Sequence, residues 1–283
     1  MLDFRAGILY IEVLKKETQN PLKTVVIGDI HGRTTWKEIV DREQDAYVVV
    51  FMGDYFDSRD RVAGAKQLQN FLDIIQWKVD VESLGRKEVV LLFGNHDFHY
   101  MPWFTREPYS GYLPYMAAKY RKALVSNLHH LTLAYAMGEV LFTHAGVSVE
   151  WLNRFAVKPD AETPWLRLST ADIAKAINDT FAQFPKRFDF NGFNPFGDDP
   201  QQSPIWIRPW ALEIANIARL SAGLVQVFGH TVPKDPQAVF QQSMESQGHK
   251  YFHADLLSHR MYLVLEADSF SLQNLPTDYF NLA

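Results

Sequence analysis

The sequence predicts an α/β protein built around a largely parallel sheet, and three observations carry that expectation. Five short runs rich in Val, Leu, Ile and Phe each end in a Gly-Asp, Gly-Asn, Gly-His or Thr-His pair, as buried strands do where they pass into loops. Segments of helical character separate the first three runs, so the front half reads as βαβαβ. Polar residues then gather at the carboxyl ends of the runs, where open α/β sheets bind ligands.

In chain order, Lys23 to Gly28 reads as a strand, Thr35 to Arg42 as a helix, Ala46 to Gly53 as a strand, Ala63 to Val79 as a helix and Lys87 to Gly94 as a third strand. Phe98 to Tyr120 carries eight aromatics without strand or helix rhythm and is expected to be a loop or cap near the strand ends. Glu139 to Thr143 and Leu224 to Gly229 are the remaining two of the five runs. Between them lie helical patterns at Ala171 to Phe184 and Ala211 to Ala222, and a second loop or cap, Phe184 to Trp210, rich in Phe, Pro, Gly and Asn. Lys250 to Asp255 and Arg260 to Glu266 read as closing strands. The absence of internal repeats and Ser/Pro-rich linkers favours a single domain.

Composition narrows the function classes. The 283 residues are 47% apolar, 22% charged and 14% aromatic, values of ordinary globular proteins. Without cysteine, disulfides, thiolate metal sites and thiol nucleophiles are excluded, so any metal falls to His, Asp, Glu or Asn. A net charge of -5 with no basic block argues against a nucleic-acid partner. Met1 to Lys16 holds only a six-residue apolar run, Ala6 to Ile11, too short for a signal peptide, and no stretch approaches the roughly 18 apolar residues of a membrane span. The expectation is a soluble, cytoplasmic protein with no membrane partner.

Each strand end delivers chemistry. The first is followed by Asp29-Ile30-His31, where alternate residues of an extended turn can face one ion. After the second come Gly53-Asp54 and Asp57, after the third Gly94-Asn95-His96-Asp97, after the fourth Thr143-His144, and after the fifth Gly229-His230. Taken singly, Asp-x-His also fits a hydrogen-bonded turn, Asn-His-Asp a helix cap, and His144 or His230 a satisfied core histidine. Asp57 also fits a cap for the helix that follows. Five independent strand ends supplying oxygen or nitrogen donors, in a chain with 10 histidines, favour a shared metal site. His99, His129, His130, His249, His253 and His259 lack that context, and His253 with Asp255 reads either as support behind the site or as ordinary structural polarity.

The series Asp-x-His, Gly-Asp-x-x-Asp, Gly-Asn-His-Asp, His and Gly-His resembles the calcineurin-like metallophosphoesterase superfamily over roughly Val25 to Glu266. His144-Ala145-Gly146-Val147-Ser148 resembles the His-Gly-Gly-Leu-Ser of its phosphoprotein phosphatase branch. Gly229-His230-Thr231-Val232, lacking the second His of Gly-His-x-His, resembles that branch and the diadenosine tetraphosphatases. Two departures stand out. Arg59 is displaced by one position from the Arg of Gly-Asp-x-Val-Asp-Arg-Gly, and Asp97 stands where Glu is usual.

The resemblance implies a four-layer αββα sandwich with a metal site at the carboxyl ends of the strands. It also implies one catalytic domain over residues 1–283, with cap or loop insertions near 98–122 and 150–210. Asp29, His31 and Asp54 would hold one divalent ion and Asn95, His144 and His230 a second, with Asp54 bridging. Such mixed oxygen and imidazole donors suit Mn, Fe or Zn. Two ions about 3.5–4 Å apart neutralise phosphate charge and lower the pKa of a bound water. His96 would protonate the leaving group, oriented by Asp57. Arg208, in a Trp-x-Arg segment, together with Arg59 and Asn95, would bind the phosphate of the substrate. The implied activity is hydrolysis of a phosphate monoester, on a phosphoprotein or a small molecule, with a dinucleoside polyphosphate hydrolase or a non-catalytic scaffold as alternatives. The aromatics after Asp97, Trp103 and Phe104 among them, form either a small satellite core or a wall that stacks a flat substrate group.

Overall fold

The computed structural model describes residues 23–160, 162–189, 194, 196–216, 220, 223–246 and 250–276. The segment Met1 to Lys16, the end of the predicted helix Ala211 to Ala222, His249 and part of the Phe184 to Trp210 loop lie outside them.

Three apolar runs become the parallel strands β1 (Thr24–Ile27), β2 (Val48–Phe51) and β3 (Glu88–Leu92), joined by helices α1 (Thr35–Arg42) and α2 (Gly64–Ser83). A one-turn helix α3 (Asn95–Phe98) follows β3, then α4 (Ala117–Ser126) and the short strands β4 (Leu131–Thr132) and β5 (Ala134–Met137). The second half contributes β6 (Val140–Thr143), α5 (Val149–Phe155), α6 (Thr170–Gln183), α7 (Pro209–Asn216), β7 (Val225–Phe228), α8 (Pro236–Glu245), β8 (Lys250–His253), β9 (Met261–Glu266) and β10 (Ser269–Asn274). The strands form two sheets, ordered β10-β9-β1-β2-β3-β4 and β5-β6-β7-β8.

Alternation along the strands builds the layers, because successive side chains point to opposite faces. Val26, Val48, Val50, Val90 and Leu92 pack against Phe142, Val227 and Phe252 between the two sheets. The intervening Val25, Ile27, Val49, Phe51, Val89 and Leu91 face Trp36 and Ile39 of α1 and Phe71 and Ile74 of α2. On the far side of the second sheet, Leu141 meets Ile173 and Ile177 of α6, and Phe228 meets Leu212 of α7. The architecture is therefore the expected helix-sheet-sheet-helix sandwich. Burial of one such side chain contributes about 1.5–3 kcal/mol, so a one-residue slip of β2 that exchanged Val49 with Val50 would disturb both cores at once.

The elements that sequence periodicity left unread are amphipathic or peripheral. Along α4, which begins inside the aromatic stretch, Tyr120 and Leu124 alone are buried. In β10, only Phe270 is buried, against β9 at the sheet edge. The helix α5 is announced by its cap, where Ser148 Oγ accepts the Trp151 N–H at 3.0 Å.

Candidate metal and phosphate site

The ends of β1, β2, β3, β6 and β7 converge through their backbones. Ile30, His31 and Gly32 donate N–H groups to the carbonyls of Gly53, Asp54 and Tyr55, which zips the first loop to the second. Gly229 N–H donates to His144 O at 2.8 Å, joining the loops after β6 and β7. Asp97 secures the third loop, its carboxylate accepting the N–H groups of Asp54, Tyr55 and Gly94 at 2.8–3.0 Å. The residue at the position where the family resemblance expects Glu is thus a buried brace for the neighbouring loop.

This crowding has local costs. His31, Asp54, Asp57 and His230 all adopt left-handed backbone, with φ of 44°, 52°, 61° and 63°. Such conformations cost of order 1–3 kcal/mol each and persist where surrounding structure imposes them, as functional sites do. Two glycines are obligatory for a different reason. A Cβ on Gly94 would sit 2.1 Å from Asp54 Oδ1, and one on Gly229 2.1 Å from Asp29 Oδ1.

The side chains present their donors inward. His31 Nδ1 is tied to Phe56 O at 2.8 Å and His144 Nδ1 to Met52 O at 2.6 Å, which fixes each imidazole with Nε2 turned toward Asp54. Those Nε2 atoms lie 3.7 and 3.5 Å from Asp54 Oδ2. Asn95 Oδ1 lies 3.0 Å from His144 Nε2 and 2.9 Å from His230 Nδ1. Donor atoms Asp54, His144 and His230 form one compact group and Asp29, His31 and Asp54 a second, with Asp54 common to both, while Asp57, His96 and His99 form a third that shares no residue with them.

These residues fit divalent cations. Ligand bonds of about 2.1 Å place neighbouring donor atoms about 3.0–3.4 Å apart, close to the separations found here. His230 Nε2 is buried with no hydrogen-bond partner among the described residues, which costs about 1–3 kcal/mol unless something binds nearby, and Asn95 Nδ2, a donor in the same state, calls for an acceptor such as a phosphoryl oxygen. The charges also ask for a cation. Burial, followed by the neighbouring Asp255 charge, raises Asp29 well above the ordinary carboxylate range. Burial and Asp54 push Asp255 up to about 6. Burial opposes ionisation of Asp54 as well, yet His144 and His96 hold it well below that range. His144 is correspondingly lifted to about 10 against its burial by Asp54 and Asp29, whereas burial brings His31 down to about 4.

His96 stands beside this group without joining it. Its backbone N–H donates to Asp54 Oδ1 at 2.8 Å, its ring lies 5.2 Å from that of His31, and its Nδ1 faces Asp57 Oδ2 at 2.9 Å. Two neighbours that sequence reasoning missed close on the same carboxylate. Tyr100 donates its hydroxyl to Asp57 Oδ1 at 2.5 Å, and His99 Nε2 lies 2.7 Å from Oδ2 as an ion-pair contact off the line of a good hydrogen bond. Because His99 Nδ1 accepts the Tyr109 N–H at 3.0 Å, the neutral ring carries its proton on Nε2, toward Asp57. Burial opposes the charge on Asp57, but the hydrogen bond from His96 and the close His99 ring prevail and keep it below the ordinary range.

The arginines differ in placement. Arg208 is half-buried, its Nη1 donating to His230 O and Thr231 Oγ1, both at 2.9 Å, and its Nε to Phe196 O at 3.2 Å. Arg59 is exposed, with no hydrogen bond or ion pair among the described residues, and its charge acts on both Arg208 and Asp255. Arg33, directly after His31-Gly32, also lies over the Asp29 loop, with Nη1 3.4 Å from Asp29 O and Nε 2.7 Å from Asp60 Oδ2. Its adjacency to Asp-x-His was the signal available in the sequence.

The aromatic stretch divides. Trp103 packs on Phe98 and Phe181 against the main core, and Phe104 lies behind Tyr109, so neither faces the metal-ligand group. The rings nearest the site are Tyr109, stacked between His99 and Trp206 at 5.2 and 4.4 Å, and Trp206, 5.2 Å from His230. His253 rests on Phe228 at 4.7 Å.

The family model of calcineurin-like phosphoesterases matches residues 22–234. The chain belongs to the calcineurin-like phosphoesterase family. No curated protein matches the sequence. Among solved structures, a cold-active protein-tyrosine phosphatase of a psychrophile, Shewanella sp., is similar at 18% identity and a TM-score of 0.54, covering 90% of this chain and 81% of that one. Another structure of a cold-active protein tyrosine phosphatase is similar at 19% identity and a TM-score of 0.56, covering 89% and 76% of the two chains. The calcineurin-like phosphoesterases share the fold seen here, two sheets between helices. Membership supports a phosphoric ester hydrolase that acts on phosphorylated substrates and binds divalent metal. No helix among the described residues is long and apolar enough to cross a membrane.

Proposed function

We propose that the chain is a metal-dependent phosphomonoesterase with a two-ion site, acting as one catalytic unit whose stretches 98–122 and 150–210 serve as caps. The observation that carries this reading is the position of Asp54, common to two compact donor groups. Asp29, His31 and Asp54 would hold one ion, and Asn95, His144 and His230 the other, with Mn, Fe or Zn as the candidates. Bound there, the ions would neutralise phosphate charge and lower the pKa of a water to furnish a nucleophile near neutral pH.

The chain's own residues supply the rest. Arg208, braced by His230 O and Thr231, and Arg33, over the Asp29 loop, would pair with phosphoryl oxygens. His96, whose Nδ1 faces the charged Asp57, keeps Nε2 for delivering a proton to the departing oxygen. Asp57 orients that ring, and His99 and Tyr100 hold Asp57 in turn. The name of the similar Shewanella protein accords with a monoester substrate.

The test is metal analysis of the purified chain together with aryl phosphate hydrolysis before and after chelation and Mn reconstitution. Two ions per chain, with turnover that disappears on chelation and returns with metal, is the expected result. A chain that takes up no metal and stays inactive after reconstitution would instead be a scaffold.

A further inference from the structure

The third donor group, Asp57 with His96 and His99, has the residue types of a metal site, and Tyr109 decides against that use. Tyr109 donates its backbone N–H to His99 Nδ1 at 3.0 Å. With Nδ1 taken up as an acceptor, the neutral His99 ring keeps its proton on Nε2, 2.7 Å from Asp57 Oδ2. A metal ligand needs a free lone pair at that atom. The group is therefore set to hold Asp57 against His96, whose Nδ1 lies 2.9 Å from the same oxygen.

Tyr109 is itself held from several directions. Its ring is stacked between those of His99 and Trp206, at 5.2 and 4.4 Å, and lies 6.1 Å edge-on from that of His96. Its hydroxyl accepts Arg106 Nη2 at 3.1 Å, and Arg106 Nε pairs with Asp189 Oδ1 at 2.7 Å. Asp189 ends the short helix Pro185–Asp189, whose Phe188 is buried against Trp151 of α5 and Phe181 of α6. Arg106 and Asp189 are 83 residues apart and belong to the two stretches proposed above as caps. A clasp between those stretches thus anchors Tyr109 to the core of the second half, and Tyr109 passes that anchorage to His99, Asp57 and His96. Groups that must be held in a reactive geometry need such support behind them, because a small misplacement of an acid costs much of its rate.

Building on the phosphomonoesterase reading, we propose that Tyr109, clasped by Arg106 and Asp189, is a positioning residue for protonation of the leaving group. It acts through His99 and Asp57 on His96. Its loss is then felt in proportion to how much the departing oxygen needs a proton.

The experiment measures bound metal and steady-state kcat of the metal-loaded full chain on phenyl phosphate, whose leaving group needs protonation, and on nitrophenyl phosphate, whose leaving group needs little. Tyr109→Leu is expected to lower kcat on phenyl phosphate roughly 5- to 30-fold more than on nitrophenyl phosphate. Arg106→Gln breaks the clasp at a partly exposed ion pair and leaves the ring in place. It is expected to act in the same direction by a smaller factor, and both variants should keep the metal content of the wild type. Combined with His96→Asn, neither substitution should lower kcat further, because the proton donor through which Tyr109 acts is gone. Equal losses on the two esters overturn the proposal, since a merely structural role lowers both alike. Additive losses in the double variants, or loss of metal, overturn it as well. If Tyr109→Leu does not fold, Arg106→Gln decides, and an unchanged ratio of the two kcat values refutes the role of Tyr109. A wild type that hydrolyses neither ester sinks the phosphomonoesterase reading itself, whereas hydrolysis of both with the ratio unchanged in the variants sinks the clasp alone.

Discussion

Two buried polar clusters lie side by side at the strand ends, and they are built on opposite principles. Around Asp54 the carboxylates of Asp29, Asp54 and Asp255 crowd together, and Asn95 Nδ2 and His230 Nε2 have no partner among the described residues. Around Asp57 one carboxylate is enclosed by His96, His99 and Tyr100, whose donors reach it at 2.5–2.9 Å. Buried charge is tolerated only when it is compensated. Asp57 is met by donors of His96 and Tyr100, with His99 Nε2 close but poorly aligned, whereas Asp54 leans on His144 and His96 and sits among buried polar atoms of Asn95 and His230 that lack partners among the described residues. On the proposed function, the first is a positioning network and the second a ligand site.

Substitutions that remove one member from each cluster test the contrast. The largest effect is expected for Asp54→Asn, which should abolish turnover and lose most bound metal, since a neutral amide is a poor bridge between cations. Near-normal turnover with two ions retained would show that Asp54 does not bridge. His96→Asn should keep its metal while the rate falls by roughly 10²–10⁴. That loss should shrink for good leaving groups, and equal losses on aryl and alkyl phosphates would remove His96 from proton delivery.

Smaller effects are expected further from the metal ligands. Trp103→Ala should cost about 3 kcal/mol of stability in denaturant unfolding, while turnover per folded molecule is preserved. A raised KM for aryl phosphate in that variant, with stability unchanged, would restore Trp103 to the substrate wall. Tyr100→Phe removes the hydroxyl that donates to Asp57 and accepts the Leu113 N–H at 2.9 Å. It should cost about 1.5–3 kcal/mol of stability, reduce kcat less than tenfold and leave metal content intact. Loss of metal in this variant would mean that the two clusters are not separable.

The candidate site was legible to different depths. Asp29, His31, Asp54, Asn95, His144 and His230 could be singled out because each immediately follows an apolar run, and the strand beneath carries its end to the same edge. Arg208 was legible from Trp-x-Arg, and the structure places it against the His230 loop. Arg59, singled out by the same kind of pattern, is exposed yet acts on Arg208 and Asp255, and Arg33, which no pattern singled out, lies over the Asp29 loop. A guanidinium on a long, flexible stem takes its position from the partners it finds, and those lie elsewhere in the chain.

By itself, the sequence determined the order of strands and helices in the front half, the chemistry at each strand end and the exclusion of thiol chemistry. All of these rest on local pattern and composition. Only the tertiary structure decided that Ala134–Met137 and Val140–Thr143 open a second sheet, and that His99 turns inward to Asp57 while His129 stays exposed. It also decided that Tyr109 and Trp206, rather than Trp103, are the rings nearest the donor groups around Asp54. Each of those outcomes depends on contacts between residues distant in the chain. His99 is directed by Asp57 from another loop, and Trp206 by Tyr109 nearly a hundred residues earlier. Such pairings leave no period or spacing in the sequence, because the energy that selects them exists only once the loops have met.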